Sequence, residues 1–304
     1  MAHLSYIVPV YNEEESILPF YREMLKIADV DFELIWVNDG STDETINEIR
    51  KLAEKDSRVK CIGFSRNFGH QAALMAGLHF VKGEIIVMMD GDLQHPPGLI
   101  PLMIQKINEG FDLVSAKRKM TGEIKWWKRI TSRCYYMLIN FLSDTPIEEN
   151  VSDFRAFNRK VSEAILQFEE RELFLRGIFS WIGFKSTTIE YNAPARLYGA
   201  TKYSFIRMVR LGLKGTLSFS FKPIRISFLL GSFVSVIAFF YALFAIIAYF
   251  RGETIPGWTS TIIAIMLLSG IQLIMIGLIG EYIASLYSEI KKRPLFIIDD
   301  KINL

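Results

Sequence analysis

The chain has 304 residues, 50% of them hydrophobic and 22% charged, with a formal net charge of +2. That composition excludes a disordered chain, which needs low hydrophobicity and high net charge, and the near-neutral balance argues against a nucleic-acid binder. Two cysteines, Cys61 and Cys134, are too few for a disulfide scaffold or a cysteine-rich zinc site and read as reduced thiols.

Residues 4–115 alternate short apolar runs with amphipathic stretches. The runs predict strands at Leu4–Val10, Phe32–Val37, Val59–Phe64, Glu84–Met89 and Asp112–Ser115. The stretches between them predict helices at about 14–28, 43–55, 69–81 and 98–109. Strands alternating with helices of this length imply an α/β domain, a mostly parallel sheet covered on both faces. Ligands of such sheets bind at the carboxyl ends of the strands, so the residues after each strand matter most.

The first strand leads into Pro9-Val10-Tyr11-Asn12-Glu13-Glu14 and the second into Asn38-Asp39-Gly40-Ser41-Thr42-Asp43. The third leads into Ser65-Arg66-Asn67-Phe68-Gly69-His70, and the fourth into Asp90-Gly91-Asp92-Leu93-Gln94-His95-Pro96-Pro97. The fifth leads into Lys117-Arg118-Lys119. Ionisable groups converge on one edge, which a purely structural sheet does not require. Some have plain readings. Ser41 to Glu44 fits a helix capping box, Asp39 fits a turn before Gly40, and Glu13 to Glu15 suit a helix N-terminus. His70 and His95 read as polar loop residues and are not taken as metal ligands. Asp90 and Asp92 are different. Four apolar residues, Ile86 to Met89, drive straight into two carboxylates that repel unless a cation lies between them. Carboxylates suit hard cations such as Mg²⁺ or Mn²⁺, which keep waters and take substrate phosphates as further ligands. Gln94 adds a carbonyl two residues on.

Further along, residues 117–133 carry seven basic side chains, Arg118, Arg129 and Arg133 among them, against Glu123 alone. Trp126-Trp127 and Tyr135-Tyr136 suit a lipid headgroup layer. Residues 196–225 hold Arg196, Lys202 and five more cations with no acid, and Ile206, Val209, Leu213 and Leu217 recur at helical spacing. A basic amphipathic helix before a membrane span reads as interfacial. Ile226 to Phe250 and Trp258 to Gly280 are uncharged runs of 25 and 23 residues, and about 20 apolar residues span a bilayer. The short turn between them makes a transmembrane hairpin. Lys222 and Arg225 precede it, Lys291, Lys292 and Arg293 follow it, and the turn carries only Arg251 beside Glu253, so both ends are expected in the cytoplasm. The N-terminal apolar run, ending at Asn12-Glu13-Glu14-Glu15, is too short and acidic for a signal peptide. The expected divisions are the α/β domain at 1–195, an interfacial segment at 196–225, two spans at 226–287 and a cytoplasmic tail at 288–304.

Ile7-Val8-Pro9-Val10-Tyr11-Asn12-Glu13-Glu14, Val37-Asn38-Asp39-Gly40-Ser41-Thr42-Asp43 and Asp90 to Pro97 together resemble the family-2 glycosyltransferases with the GT-A fold. Arg66-Asn67-Phe68-Gly69-His70-Gln71-Ala72-Ala73 and Tyr198-Gly199-Ala200-Thr201-Lys202-Tyr203-Ser204 narrow the resemblance to the polyprenyl-phosphate glycosyltransferases. These include dolichol-phosphate mannose synthase and the bacterial bactoprenol glucosyltransferases, and the two spans match the bacterial type. The resemblance implies that Pro9, Tyr11 and Glu13 contact the nucleoside and that Asp39 grips the base or ribose. It implies that Asp90, Asp92 and Gln94 hold Mg²⁺ or Mn²⁺ against the donor pyrophosphate. It makes Asp153, in Val151-Ser152-Asp153-Phe154-Arg155, a further site residue that either acts as general base or orients a neighbour. Arg118, Arg129 and Arg133 become candidates for the acceptor phosphate, and Arg196 and Lys202 for the acceptor or donor phosphates. The implied activity is hexose transfer, with UDP-glucose the leading donor, to undecaprenyl or another polyprenyl phosphate, with inversion. Transfer from GDP-mannose and a non-catalytic, nucleotide-sugar-binding membrane subunit are the alternatives. A processive polysaccharide synthase would carry a Gln-x-x-Arg-Trp motif, which this sequence lacks. Gly231, Gly270, Gly277 and Gly280 suit close helix packing, within the hairpin or in a homo-oligomer.

Overall fold

Four apolar runs become the parallel centre of an eight-stranded sheet. The structure, a computed structural model, describes residues 4–27, 31–119, 137, 151–171, 173–192, 220, 222–251 and 257–304. The strands are β1 (Leu4–Val10), β2 (Phe32–Asn38), β3 (Val59–Phe64), β4 (Ile85–Met88), β5 (Leu113–Arg118), β6 (Val151–Asn158), β7 (Ser186–Tyr191) and β8 (Ile298–Ile302). Their order is β7-β5-β6-β4-β1-β2-β3-β8. β1 to β4 are mutually parallel, β5 and β7 pair in parallel, and β6 and β8 run antiparallel to their neighbours. The sheet is therefore mixed around the parallel centre that the sequence predicts.

Helices α1 (Glu14–Ile27), α2 (Thr45–Ala53), α3 (His70–Phe80) and α4 (Ile100–Asn108) link the first five strands. α5 (Arg159–Ile165) and α6 (Leu175–Trp181) follow β6. β1 and β2 are buried at every residue, as strands covered on both faces must be. On one face Tyr6, Val8 and Trp36 pack with Phe20 and Met24 of α1. On the other Ile7, Ile35 and Ile62 pack with α3 and α6. Pro9 lies within the central strand β1, where its missing N–H would normally break a ladder. β4 pairs β1 only as far as Ile7, and Ile7 and Pro9 face the same side of the strand. The missing donor therefore points past the end of β4.

A buried ion pair fixes the edge opposite the carboxyl ends. Glu33 is 2% exposed and accepts from Ser5 Oγ, Lys82 N and Lys60 Nζ, each at 2.5 Å. Burial pushes its pKa up, but these donors outweigh burial and leave it below the ordinary glutamate value. Its contribution to stability is therefore present above the unfolded-state pKa and fades as pH falls through the folded one. Glu33→Ala strands Lys60 and should cost about 3–5 kcal/mol at neutral pH. The check is chemical denaturation at neutral and acidic pH, where the gap between variant and parent should narrow on acidification.

The chain then forms α7 (Lys222–Phe250) and α8 (Trp258–Ile290), both long and apolar enough to cross a membrane. α7 begins at Lys222, inside the segment expected to be interfacial; of residues 196–225, only Ser220 and 222–225 are described. Past α8 the chain returns to the sheet, where the sequence had suggested a tail. β8 pairs antiparallel with β3, and Asp300 meets Arg50 at 2.8 Å. Asn303 Nδ2 donates to the carbonyls of Ala53 and Val59 at 3.0 Å. Phe296 stacks on Phe64 with ring centroids 5.1 Å apart. The last turn of α8 is also tied down, because Glu289 accepts from the Arg171 N–H at 2.7 Å. Tyr282 Oη donates to the carbonyl of Ser220 at 2.7 Å.

Candidate active site

The loops after β1 and β2 are stitched together at the carboxyl edge. Asn12 takes a left-handed φ of 53°, which Asn tolerates better than most residues. Its N–H donates to Ser41 Oγ at 2.9 Å, and its Oδ1 accepts from Thr42 N at 2.8 Å. Glu13 N donates to Thr45 Oγ1 at 2.9 Å. This corrects the capping-box reading: α2 starts at Thr45, and Glu44 before it makes no side-chain cap. The Ser41 hydroxyl is taken by Asn12. Asp43 serves the helix start instead, its Oδ1 accepting from Thr45 N at 3.1 Å and Thr45 Oγ1 at 2.6 Å.

Asp39 is 4% exposed and holds the loop after β3. Its Oδ1 accepts from Phe68 N at 2.6 Å, and its Oδ2 from Gly69 N at 2.9 Å. Burial raises its pKa, against the pull of those two N–H groups and of His70. Gly40 lets the two loops meet: at φ +65°, a Cβ there would lie 2.4 Å from the Arg66 carbonyl carbon. Of the expected nucleoside contacts, Pro9 is buried inside β1 and Tyr11 is exposed. Glu13 lies against the Asp90–Asp92 loop, since a Cβ on Gly91 would sit 3.1 Å from its Oε2.

After β4, Met89 N still donates to Ile7 O at 3.1 Å, and the chain then turns out to Asp90, whose side chain is 38% exposed. Asp92 Oδ1 accepts from Gln94 N at 3.1 Å, and Leu93 takes a φ of 58°. Because β6 is antiparallel, its first residues arrive at this same edge and bring Asp153 to Asp90. His70, at the start of α3, spans them, its Nε2 3.6 Å from Asp90 Oδ1 and 3.6 Å from Asp153 Oδ2. Arg176 of α6 clasps Asp153 with two bonds of 2.9 Å, Nε to Oδ1 and Nη2 to Oδ2. Asp153 is 14% exposed. Burial alone would raise its pKa, but His70 and Arg176 overcome that and hold the carboxyl well below the ordinary range. His70 moves the other way: burial lowers its pKa, and Asp153 and Asp90 more than restore it.

His95 is buried under the Asp90 loop, and its Nδ1 accepts from Asp90 N at 3.0 Å. Burial first, then the charges of Asp90 and Asp92, raise the pKa of nearby Tyr191, and Ser152 and Arg118 oppose them. Arg118 ends β5, exposed and in register with Tyr191. Arg129, Arg133, Arg196 and Lys202, the other expected phosphate contacts, lie outside the described residues, as does Cys134. The sequence suggested polar loop residues at His70 and His95, but His70 opens α3 between Asp90 and Asp153 and His95 is buried; it gave Arg176 no role. The two histidines stand in motifs that carry the family resemblance, whereas Arg176 carries no local signal.

The donor set fits a hard divalent cation. Among the described residues, no three His, Cys, Asp or Glu side chains are gathered to hold a metal alone. Asp90 and Asp92 supply carboxylates and Gln94 an amide oxygen. Mg²⁺ and Mn²⁺ take such oxygens and complete their shells with water and substrate phosphates.

The sequence matches the family description "Glycosyl transferase family 2" over residues 5–166 and "GtrB C-terminal hairpin" over residues 222–286. An uncharacterized glycosyltransferase, YkcC, of Bacillus subtilis is 42% identical, covering 97% of this chain and 94% of its own. An SfII prophage-derived bactoprenol glucosyl transferase of Shigella flexneri is 41% identical, covering 97% of each. Among solved structures, glucosyl-3-phosphoglycerate synthase of Mycobacterium tuberculosis aligns at 20% identity over 71% of this chain and 76% of its own. Its TM-score is 0.49, a likeness that speaks to neither substrate nor metal.

Proposed function

This chain belongs to glycosyltransferase family 2 and has the GT-A fold, and from that premise we propose that it transfers a hexose from a nucleotide sugar to a polyprenyl phosphate at the cytoplasmic membrane face. UDP-glucose and undecaprenyl phosphate are the leading donor and acceptor, in line with the bactoprenol glucosyl transferases it resembles. The observation that carries this reading is the meeting of Asp90, His70 and the Asp153–Arg176 pair at one sheet edge, in a chain that also holds an apolar hairpin.

Asp90 and Asp92, with Gln94, would hold Mg²⁺ or Mn²⁺, which neutralises charge developing on the leaving nucleoside diphosphate. The acceptor needs little help in losing a proton, because a phosphate monoester has its second pKa near about 6. Asp153 is a weak base with its carboxyl held so low, and both its oxygens are engaged by Arg176. The same clasp makes it a poor nucleophile for a double displacement. These features support direct attack by a phosphate oxygen, with inversion, and give Asp153 the role of orienting Arg176 and His70. Arg118, exposed at the end of β5, would draw an anionic acceptor to this edge. Pairing of β8 with β3 keeps the end of α8 beside the catalytic domain, which supports both outer ends of the hairpin lying on one side of a bilayer, and their lysines and arginines favour the cytoplasmic side.

The test is purified full-length chain with undecaprenyl phosphate, Mn²⁺ or Mg²⁺ and a panel of nucleotide sugars, with product detected by mass. Lipid-linked hexose from one donor, abolished by chelator, is the expected result. Nucleoside diphosphate released without glycolipid would refute the acceptor, and no turnover of any donor would refute the reading as a whole.

A further inference from the structure

We propose that His95 is a positioning residue that presents the Asp90 carboxylate by gripping its backbone from inside the core. The proposal rests on reading Asp90 as a metal-binding carboxylate, and it concerns a residue that touches neither donor nor acceptor in that scheme.

His95 is 5% exposed, an unusual place for an imidazole. Its ring lies nearly parallel to Phe154 of β6, with centroids 5.1 Å apart and planes 17° apart. Tyr191 of β7 meets it edge-on at 6.3 Å, and Phe154 and Tyr191 meet each other at 6.3 Å. The three rings close a triangle. A phenylalanine or leucine would fill such an apolar slot without desolvating two nitrogens, and buried polar atoms are costly unless bonded.

Both nitrogens face Asp90. Nδ1 accepts from the Asp90 N–H at 3.0 Å, so the ring proton sits on Nε2. Nε2 lies 3.6 Å from Asp90 Oδ2. One side chain thus addresses the backbone and the carboxylate of the same residue, and closes the loop from 90 to 95 on itself. The ring's support matters too. Phe154 directly follows Asp153 on β6, and β6 pairs with β4 through Met88 and Arg155. His95 therefore gauges Asp90 against the strand that carries Asp153, and so sets the gap that His70 bridges.

Two variants of the full chain separate grip from packing. His95→Phe keeps the ring and loses the acceptor; His95→Asn keeps an acceptor at the δ position and loses the ring. Thermal melting, amide hydrogen exchange of peptides containing Asp90, and Mn²⁺ binding by electron paramagnetic resonance are read on each. His95→Phe is expected to melt near the parent, exchange faster at Asp90 and bind Mn²⁺ about 10- to 100-fold more weakly, the range for residues that orient metal ligands. His95→Asn should recover part of both losses. Unchanged exchange and Mn²⁺ binding in His95→Phe would overturn the proposal. So would equal losses in both variants that track a lower melting temperature, since that marks packing alone. If the parent itself fails to bind Mn²⁺, the metal reading falls, and exchange at Asp90 still decides whether His95 holds the loop.

Discussion

Asp90→Asn should lower the rate of lipid-linked hexose formation by about 10²- to 10³-fold, the scale of losing one preorganised electrostatic contact to developing charge. The melting temperature should stay close to the parent's. The loop is held by the Asp90 backbone N–H on His95 Nδ1, while the carboxylate itself is 38% exposed and the imidazoles of His70 and His95 stand 3.6 Å off. Asparagine keeps the shape and the backbone bond and removes only the charge. Asp92→Asn should behave alike in turnover. Initial rates across a Mn²⁺ titration provide the check, and more metal should recover part of the lost rate. Near-parent turnover in both variants would remove the carboxylate pair from the reaction.

Asp153→Asn should lower kcat by about 10²-fold, the effect of misplacing reacting groups by roughly an ångström, and should take no acidic limb away from the pH–rate profile. A general base with an ordinary carboxyl pKa would impose an acidic limb that the variant abolishes. Here His70 and Arg176 hold Asp153 well below that range, so it stays ionised through the region near about pH 4 where an ordinary aspartate takes up its proton. The loss should therefore persist without relief as pH falls through that region. Its stabilising effect is complete above the unfolded-state carboxyl pKa and disappears as pH falls toward the folded one. A flattened acidic limb in the variant would restore Asp153 as base. Arg176→Lys provides a companion measurement: lysine keeps the charge but cannot make the two-pronged bond, and it should reproduce most of the loss.

The parallel half of the sheet was legible because buried strands announce themselves as apolar runs. β1 and β3 begin and end where the sequence placed them. β6 was harder to see. It enters the edge from the opposite direction, so Asp153 comes at the start of its strand, out of reach of a search for residues that follow strands. Only the family resemblance pointed to it. β7 reads Ser-Thr-Thr-Ile-Glu-Tyr, without an apolar run. β8 is five residues with three charges, and its partner Arg50 lies 250 positions earlier. Ser41 satisfied the local pattern of a cap, yet its hydroxyl serves Asn12, 29 residues away. The clasp of Arg176 on Asp153 likewise exists only once α6 packs over β6. Spacing rules see neighbours along the chain, and these contacts are neighbours in space.

The closing of the sheet by β8 also imposes an order on biogenesis. β3 is synthesised before the hairpin and β8 after it, so the catalytic domain emerges with one side of β3 bare. An open strand edge is a template for pairing with other chains, and it stays open until α7 and α8 have been made. A hairpin that inserted only one of its helices would leave β8 across the bilayer from β3 and the edge permanently uncovered. Were α7 and α8 to cross a membrane, the last strand would thus close the sheet only on a chain threaded twice.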